Sequence, residues 1–150
     1  MKKLVLGSAL LLASMNAMAF GEVGQWSSGW GQGVSEYTAV SVDGNSIYIA
    51  CQPDKDMYMS VKVGGEKYDA GFDLVIDGEL FKTPYDTKTT EIAVDFPMLW
   101  VHLRKAKNIQ VKTHDGKTAS LPSKGSNKTL PAVGSPDLEC SVSPDLSETA

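Results

Sequence analysis

The feature that most constrains this chain is an alternation of apolar and polar residues with a period of two. In residues 57–63, one face carries Met57, Met59, Val61 and Val63, and the other carries Tyr58, Ser60 and Lys62. The same alternation recurs in residues 47–51, 72–77, 92–96 and 109–111. Because successive side chains of a β-strand point to opposite sides of a sheet, the pattern predicts strands with one buried face.

Turn residues separate these segments. The breaks are Asp43-Gly44-Asn45, Gly64-Gly65, Asp77-Gly78 and Asp115-Gly116. Asp-Gly pairs suit tight hairpins, because the favoured turns need positive φ at both central residues. Strands joined by such short turns run antiparallel, since parallel connections need long crossovers. The predicted fold is therefore mainly β, of the α+β class, with a small antiparallel sheet that is curled or sandwich-like.

One short helix is expected to pack on this sheet. Pro97 stands where a first helical residue would, and apolar residues follow it at helical spacing. These residues are Leu99, Trp100, Leu103 and Ala106. A second short helix is a further candidate at residues 126–130.

Residues 1–19 have the features of a secretory signal peptide. Lys2 and Lys3 precede a short apolar run, and Ala17-Met18-Ala19 supplies the small-x-small pattern of a cleavage site. A membrane anchor is the disfavoured alternative, because a transmembrane helix needs about 20 apolar residues. Cleavage would leave Phe20 first, and a lipid anchor would require a cysteine there. We expect a chain exported to the periplasm, or secreted, that is not membrane-embedded after signal cleavage.

The rest of the chain fits one domain. Removal of residues 1–19 leaves 131 residues, enough for a single hydrophobic core. We predict one periplasmic β-rich domain at residues 20–140. The tail at residues 141–150 is polar and contains Pro144, so we expect it to be disordered.

The charge of the mature chain bears on its partners. All 18 acidic residues remain after cleavage, whereas the loss of Lys2 and Lys3 leaves 12 basic ones, so the formal charge is −6. Nucleic acids and anionic membrane surfaces select for Lys and Arg. We therefore expect neither nucleic acid nor a membrane surface as partner.

Cys51 and Cys140 are the two cysteines of the chain. In an oxidising compartment an even pair is most simply a disulfide, and two cysteines allow one intramolecular pairing. A catalytic cysteine is the competing interpretation, but it would need a histidine partner and an activating environment. Structural zinc is not expected, because the cysteines and histidines lack the required ligand spacing.

The search for catalytic residues yields isolated candidates. Asp73 and Asp77 share one strand face, and His114 precedes Asp115 in a predicted turn. Paired acids serve glycoside hydrolysis, but the outward face of a strand ordinarily carries charge. Asp54 and Asp56 resemble part of a calcium loop whose further ligands are missing. We therefore predict no catalytic residues, no metal and no cofactor, and a protein that is not an enzyme.

Aromatic residues are the main candidates for binding. Trp26 and Trp30 lie in a glycine-rich segment, and Tyr48 and Tyr58 lie on strand faces opposite the apolar ones. Tyrosine and tryptophan are enriched at protein interfaces and on sugar-stacking surfaces. The alternative is that the tryptophans cover a small sheet and the tyrosines pack beneath them.

These observations favour a small exported binding protein that engages an envelope or extracellular protein. It would act as an inhibitor, an immunity factor or an exclusion factor. One alternative is a hydrolase of cell wall or polysaccharide, with Asp73, Asp77 or His114 in a cleft. The other is a structural subunit of a surface assembly, which would have an unpaired edge strand and assemble in a concentration-dependent manner.

Overall fold

The computed structural model describes residues 21–53, 55, 57–82 and 90–140. The strands are β1 Trp26–Gly31, β2 Val34–Val40, β3 Ser46–Cys51, β4 Tyr58–Val63, β5 Glu66–Tyr68, β6 Phe72–Ile76, β7 Glu79–Lys82, β8 Ile109–Thr113 and β9 Thr118–Leu121. The helices are α1 Thr90–Lys105 and α2 Ser126–Thr129. The predicted signal peptide, the predicted tail, Asp54 and Asp56 lie outside the described residues.

The strands form two antiparallel sheets. The first has the order β1-β2-β3-β4-β5, so each strand pairs with its neighbour in sequence. The second has the order β7-β6-β8-β9, so β7 and β8 lie on opposite sides of β6. The helix α1 lies in the chain segment that connects β7 to β8. The architecture confirms the predicted fold class, a small β-rich α+β protein with antiparallel pairing and one disulfide.

The core is built from the apolar faces that the alternation predicts. On β3 and β4 the side chains of Ile47, Ile49, Met59 and Val61 are buried, and β6 contributes Phe72, Leu74 and Ile76. Ile109 and Val111 on β8 and Leu99, Trp100 and Leu103 on α1 belong to the same buried cluster. The Trp100 ring meets Tyr37 of β2 edge to face, with ring centroids 5.5 Å apart. This contact holds α1 against the first sheet.

The glycine-rich segment contains a strand that the sequence interpretation missed. β1 pairs with β2 along its whole length, and the two-residue connection Gln32-Gly33 has φ values of 53° and 79°. Positive φ at both positions is the geometry of a type I′ hairpin, whose twist matches that of the strands. Glycine weakens the alternation on which strand prediction depends, because it adds no side chain to either face.

The predicted helix start and the strand predicted at residues 92–96 were both wrong. α1 begins at Thr90, so Pro97 lies inside the helix and residues 92–96 are helical. A short alternating run does not by itself distinguish strand from helix. Phe96 is fully buried together with Trp100 and Leu103, at the spacing of one helix face. Pro97 has no backbone N–H and therefore removes one hydrogen bond from the helix. Packing of the buried stripe keeps the helix continuous at this point.

The disulfide joins the end of β3 to the C-terminal segment. Cys51 and Cys140 are bonded, as predicted, across a sequence separation of 89 residues. Beside this bridge the Ser35 hydroxyl donates a 2.6 Å hydrogen bond to the Glu139 carboxylate. The end of the described chain is thus fixed against β2 and β3.

Candidate binding site

An aromatic pair lies on the outer face of the first sheet, opposite the core. Tyr48 on β3 stands directly across from Ser60 on β4, and Tyr58 stands across from Ala50. The Tyr48 and Tyr58 rings meet edge to face, with centroids 6.0 Å apart and planes inclined by 63°. The pairing of β3 with β4 thus brings the two tyrosines together on one sheet face.

The two rings border a groove of about 460 Å³. Its lining consists of Ser46, Tyr48, Tyr58, Ser60, Val61, Lys62 and Lys67. We call this feature the tyrosine groove. Its volume falls within the range of small-molecule and peptide-anchor sites, about 300–1,000 Å³. The groove combines aromatic rings and lysine stems with hydroxyl and ammonium groups, so it can bury apolar surface and also form polar contacts.

Hydrogen bonds to carboxylates fix both tyrosine hydroxyls. Tyr48 donates to Glu36, and Tyr58 donates to Asp69. Burial, together with the bond to Glu36, raises the pKa of Tyr48 to about 12. The bond from Tyr58 holds the pKa of the Asp69 carboxyl below its ordinary value, with a smaller contribution from Lys67. The hydrogen bonds therefore hold both rings in place, and the raised pKa keeps the Tyr48 hydroxyl neutral at physiological pH.

Lys67 completes one side of the groove. Its ammonium lies 5.6 Å from the centroid of the Tyr58 ring and 3.0 Å from the Asp69 carboxylate. A cation over the face of a tyrosine is attracted by the ring quadrupole. Lys62 of β4 is also exposed and stands directly across from Lys67, so it adds a second positive charge to the groove. The tyrosine groove therefore carries two lysines on a protein whose net charge is negative.

The two tryptophans do not join this surface. Trp26 is 3% exposed and belongs to the core, where its indole N–H donates a 2.9 Å hydrogen bond to the Pro122 carbonyl. Trp30 is 69% exposed, but it stands across from Ser35, on the side of the sheet that carries Cys51. The structure thus brings Tyr48 and Tyr58 together and separates both from the tryptophans.

The candidates for hydrolysis are partly brought together. The Nε2 atom of His114 lies 3.5 Å from a carboxylate oxygen of Asp73. Asp77 is occupied elsewhere, because its carboxylate accepts hydrogen bonds from the backbone N–H groups of Lys107 and Asn108. None of these residues lines the tyrosine groove.

A second cleft of about 310 Å³ lies beside the disulfide. It is lined by Phe96, Pro97, Val133, Gly134, Ser135, Pro136, Leu138 and Cys140. Its wall is largely apolar and carries none of the charged groups that distinguish the tyrosine groove. We take the tyrosine groove as the candidate site for that reason.

Two features are absent from the described ranges of the chain. No group of three or more His, Cys, Asp or Glu side chains there is arranged to hold a metal ion. No helix in the same part of the chain combines the length and the apolar character that a membrane crossing requires.

Sequence reasoning identified the two tyrosines but missed the residues around them. Lys67 was not singled out because β5 is three residues long and shows no clear alternation. The signal was nevertheless present in the Gly64-Gly65 turn, since folding β5 back on β4 places Lys67 directly across from Lys62. Aligning consecutive hairpins places Lys67 beside Lys62, which the alternation already puts on the face of Tyr58.

The protein is a small disulfide-bonded α+β domain. It has two antiparallel sheets, a packed helix and a groove on an outer sheet face. Residues 24–130 match the family model described as YfjT, and this chain belongs to that family. The matched span runs from just before β1 to just after α2, so it includes both sheets and the tyrosine groove. No curated protein and no solved structure matches the chain.

Proposed function

We propose that this protein is a small exported, non-catalytic binding protein of the bacterial envelope, which engages a protein partner through the tyrosine groove. The observation that carries the proposal is the edge-to-face pair of Tyr48 and Tyr58 over a groove on an outer sheet face. Such binding would suit an inhibitor, an immunity factor or an exclusion factor.

The chemistry of the groove supports a protein ligand. Tyrosine buries a large area with little loss of side-chain entropy, and it is enriched where one protein contacts another. Bonds to Glu36 and Asp69 hold both rings before any partner arrives, so less ordering is needed on binding. Lys62 and Lys67 favour a partner segment that offers carboxylates or backbone carbonyls.

Export to the periplasm is part of the proposal. The signal-peptide pattern ending at Ala19 supports it, and so does the disulfide, because such bonds persist in oxidising compartments. Protein isolated from the periplasmic fraction should have the intact mass of a chain that begins at Phe20. A membrane-bound form that retains residues 1–19 would contradict this part of the proposal.

The binding experiment captures envelope proteins with the immobilised mature domain and measures the affinity of the recovered partner. Tyr58→Ala should weaken binding roughly thirtyfold, since truncation of an interface anchor typically costs about 2 kcal/mol or more. Leu80→Ala is the matched control. Leu80 is a similarly exposed side chain on β7, in the other sheet, and its loss should leave affinity unchanged.

Stability measurements separate a lost surface from a lost fold. Tyr58 is 39% exposed, so Tyr58→Ala should cost only the contacts with Tyr48 and Asp69, about 1–2 kcal/mol, whereas Trp26→Ala should cost about 3–5 kcal/mol. Loss of binding in a folded Tyr58→Ala protein supports the groove. Equal affinity for wild type and Tyr58→Ala would refute it.

Hydrolysis is the second candidate, and it rests on the pairing of His114 with Asp73. A histidine beside a carboxylate is the usual arrangement of a general base and the group that orients it. The test is release of soluble fragments from cell wall or polysaccharide. Activity that His114→Ala and Asp73→Asn abolish, while Tyr58→Ala leaves it intact, would favour the enzyme over the binding protein.

A further inference from the structure

The first sheet ends at β1, and one half of this edge strand is covered by the chain itself. The backbone N–H of Trp26 donates a 2.9 Å hydrogen bond to the Lys124 carbonyl, and the Trp26 carbonyl accepts one from the Thr129 hydroxyl. These bonds show that the N–H and C=O of Trp26 point away from β2. Because these groups alternate along an antiparallel strand, those of Ser28 and Trp30 point the same way.

The other half of the strand is open. In the described part of the chain, no hydrogen bond reaches the outward N–H and C=O groups of Ser28 and Trp30. Trp30 is also the most exposed aromatic side chain there, at 69%. Natural proteins protect such edges with charged residues, proline or a bulge. The sequence of β1, WSSGWG, contains none of the charged residues and no proline.

We propose that the open half of β1 pairs with the same strand of a second copy of this chain, in an antiparallel arrangement about a two-fold axis at Gly29. Ser28 then stands across from Trp30 of the second copy, and Trp30 stands across from its Ser28. Both pairs have their N–H and C=O groups facing each other, so each exchanges two backbone hydrogen bonds. The interface is the same patch on both copies, as a closed dimer requires.

The side chains fit this register as well as the backbone does. Ser28 and Trp30 lie on one side of β1, so the two Trp30 rings occupy diagonal positions across the new strand pair. Diagonal neighbours are about 7–8 Å apart, within reach of aromatic side chains. Each exposed indole therefore gains a partner and covers the small Ser28 side chain opposite.

The covered half of β1 sets the length of the pairing. In this register Gly31 of the second copy stands across from Ser27, and its Gln32-Gly33 turn then leads away toward its own β2. The segment at Lys124 adjoins Trp26, just beyond the paired stretch. A short pairing of this kind predicts a weak dimer that forms as concentration rises. This proposal does not depend on the tyrosine groove.

Sedimentation equilibrium of the mature, disulfide-intact protein over a wide concentration series tests the proposal. The expected result is a reversible monomer–dimer equilibrium that stops at the dimer. The far-ultraviolet circular dichroism should show an exciton couplet from the paired indoles, growing with the dimer fraction. Trp30→Ala should remove the couplet and weaken the dimer.

A proline scan at two edges provides the specific control. Ser28→Pro removes an outward N–H that the β1–β2 ladder does not use, so it should abolish the dimer and leave the monomer folded. Ser120→Pro makes the same change on β9, the edge of the second sheet, and should leave dimerisation unchanged. Ser28→Lys is a second variant of the same site, should the proline variant fail to fold.

Three results would overturn the proposal. The first is a wild-type protein that stays monomeric throughout the series. The second is a dimer that persists in folded Ser28→Pro or Ser28→Lys protein, or one that is lost in Ser120→Pro. The third is growth beyond the dimer with concentration, which would indicate a head-to-tail contact that does not close.

Discussion

The indole of Trp26 and the indole of Trp30 are four residues apart in sequence but have opposite roles in the structure. Trp26 packs in the core and donates to the Pro122 carbonyl, whereas Trp30 is 69% exposed. Both side chains leave β1 on the same side, so the difference comes from what covers each end of the strand. The segment that follows β9 covers Trp26 and stops short of Trp30.

Tyr48 gives a pH-dependent prediction at the scale of one residue. Burial and the bond to Glu36 raise the pKa of Tyr48 from 10.0 to about 12. A raised pKa means that the folded state favours the neutral hydroxyl. Its contribution to stability is therefore complete below pH 10 and is lost as the pH rises toward about 12. Tyr48→Phe should show a shallower loss of stability across this interval in denaturant titrations at stepped pH.

The result that contradicts this prediction is an equal alkaline slope for the two proteins. Ultraviolet titration of tyrosinate provides an independent measure, because the Tyr48→Phe protein should lack one of the late-ionising groups. Tyr37 ionises late as well, since burial raises its pKa, and it serves as an internal reference in both proteins.

At the scale of elements, residue type predicts backbone conformation best in the hairpin turns. The Asp77-Gly78 turn joins β6 to β7, with φ values of 50° and 87°. The Asp77 carboxylate also receives N–H bonds of 3.1 Å from Lys107 and 2.8 Å from Asn108, in the link between α1 and β8. One residue thus shapes a hairpin and fixes the end of the helical connection.

Asp77→Ala should lower the free energy of unfolding by about 1–3 kcal/mol, because it removes both acceptors and leaves at positive φ a residue without the short polar side chain that tolerates this conformation. Asp77→Asn retains one acceptor and tolerates this backbone, so its loss should be smaller. Asp77→Gly relieves the backbone but loses the acceptors, which separates the two effects. Urea unfolding of all three variants is the measurement. Equal stability of the alanine and asparagine variants would contradict this account.

At the scale of the whole molecule, the two sheets are joined by polar contacts at the surface and by a shared core. Tyr68 of β5 donates a 2.9 Å hydrogen bond to Asp115 in the β8–β9 turn, and Lys117 forms an ion pair with Glu66. That lysine holds the pKa of the Glu66 carboxyl below its ordinary value. These links are exposed and contribute little individually. The shared core holds the two sheets together, and the disulfide holds the C-terminal segment to β3.

Replacement of both Cys51 and Cys140 by serine should cost about 2–5 kcal/mol of stability, because the bridge closes a long loop in the unfolded chain. Thermal unfolding of the variant and of the oxidised wild type gives the comparison. Labelling of the denatured, unreduced wild type should find no free thiol. An unchanged unfolding temperature, or two labelled thiols, would contradict the stabilising role of the bridge.

Much of the fold could be predicted because strand alternation and turn chemistry are local. The faces of β3, β4, β6 and β8 follow from side-chain period alone. β1 and the true start of α1 could not be predicted in this way. Glycine hides the alternation of β1, and the extent of α1 depends on Phe96 reaching the common core.

The candidate site was predictable in part for a similar reason. Tyr48 and Tyr58 lie on outward faces by the period of two, and their neighbouring strands are joined by a short connection in sequence. Lys67 and Asp69 enter only when β5 folds back on β4. In the second sheet, the pairing of β6 with β8 brings His114, which directly follows β8, to Asp73 on β6.

The sequence by itself determined the strand faces, the tight turns and the pairing of Cys51 with Cys140, because each depends on local geometry or on there being only two cysteines. Only the tertiary structure decided which tryptophan is buried, which tyrosines share a groove and which part of β1 stays open. Those properties depend on what distant segments cover. Coverage is a consequence of packing between elements, and the pattern within one element does not contain it.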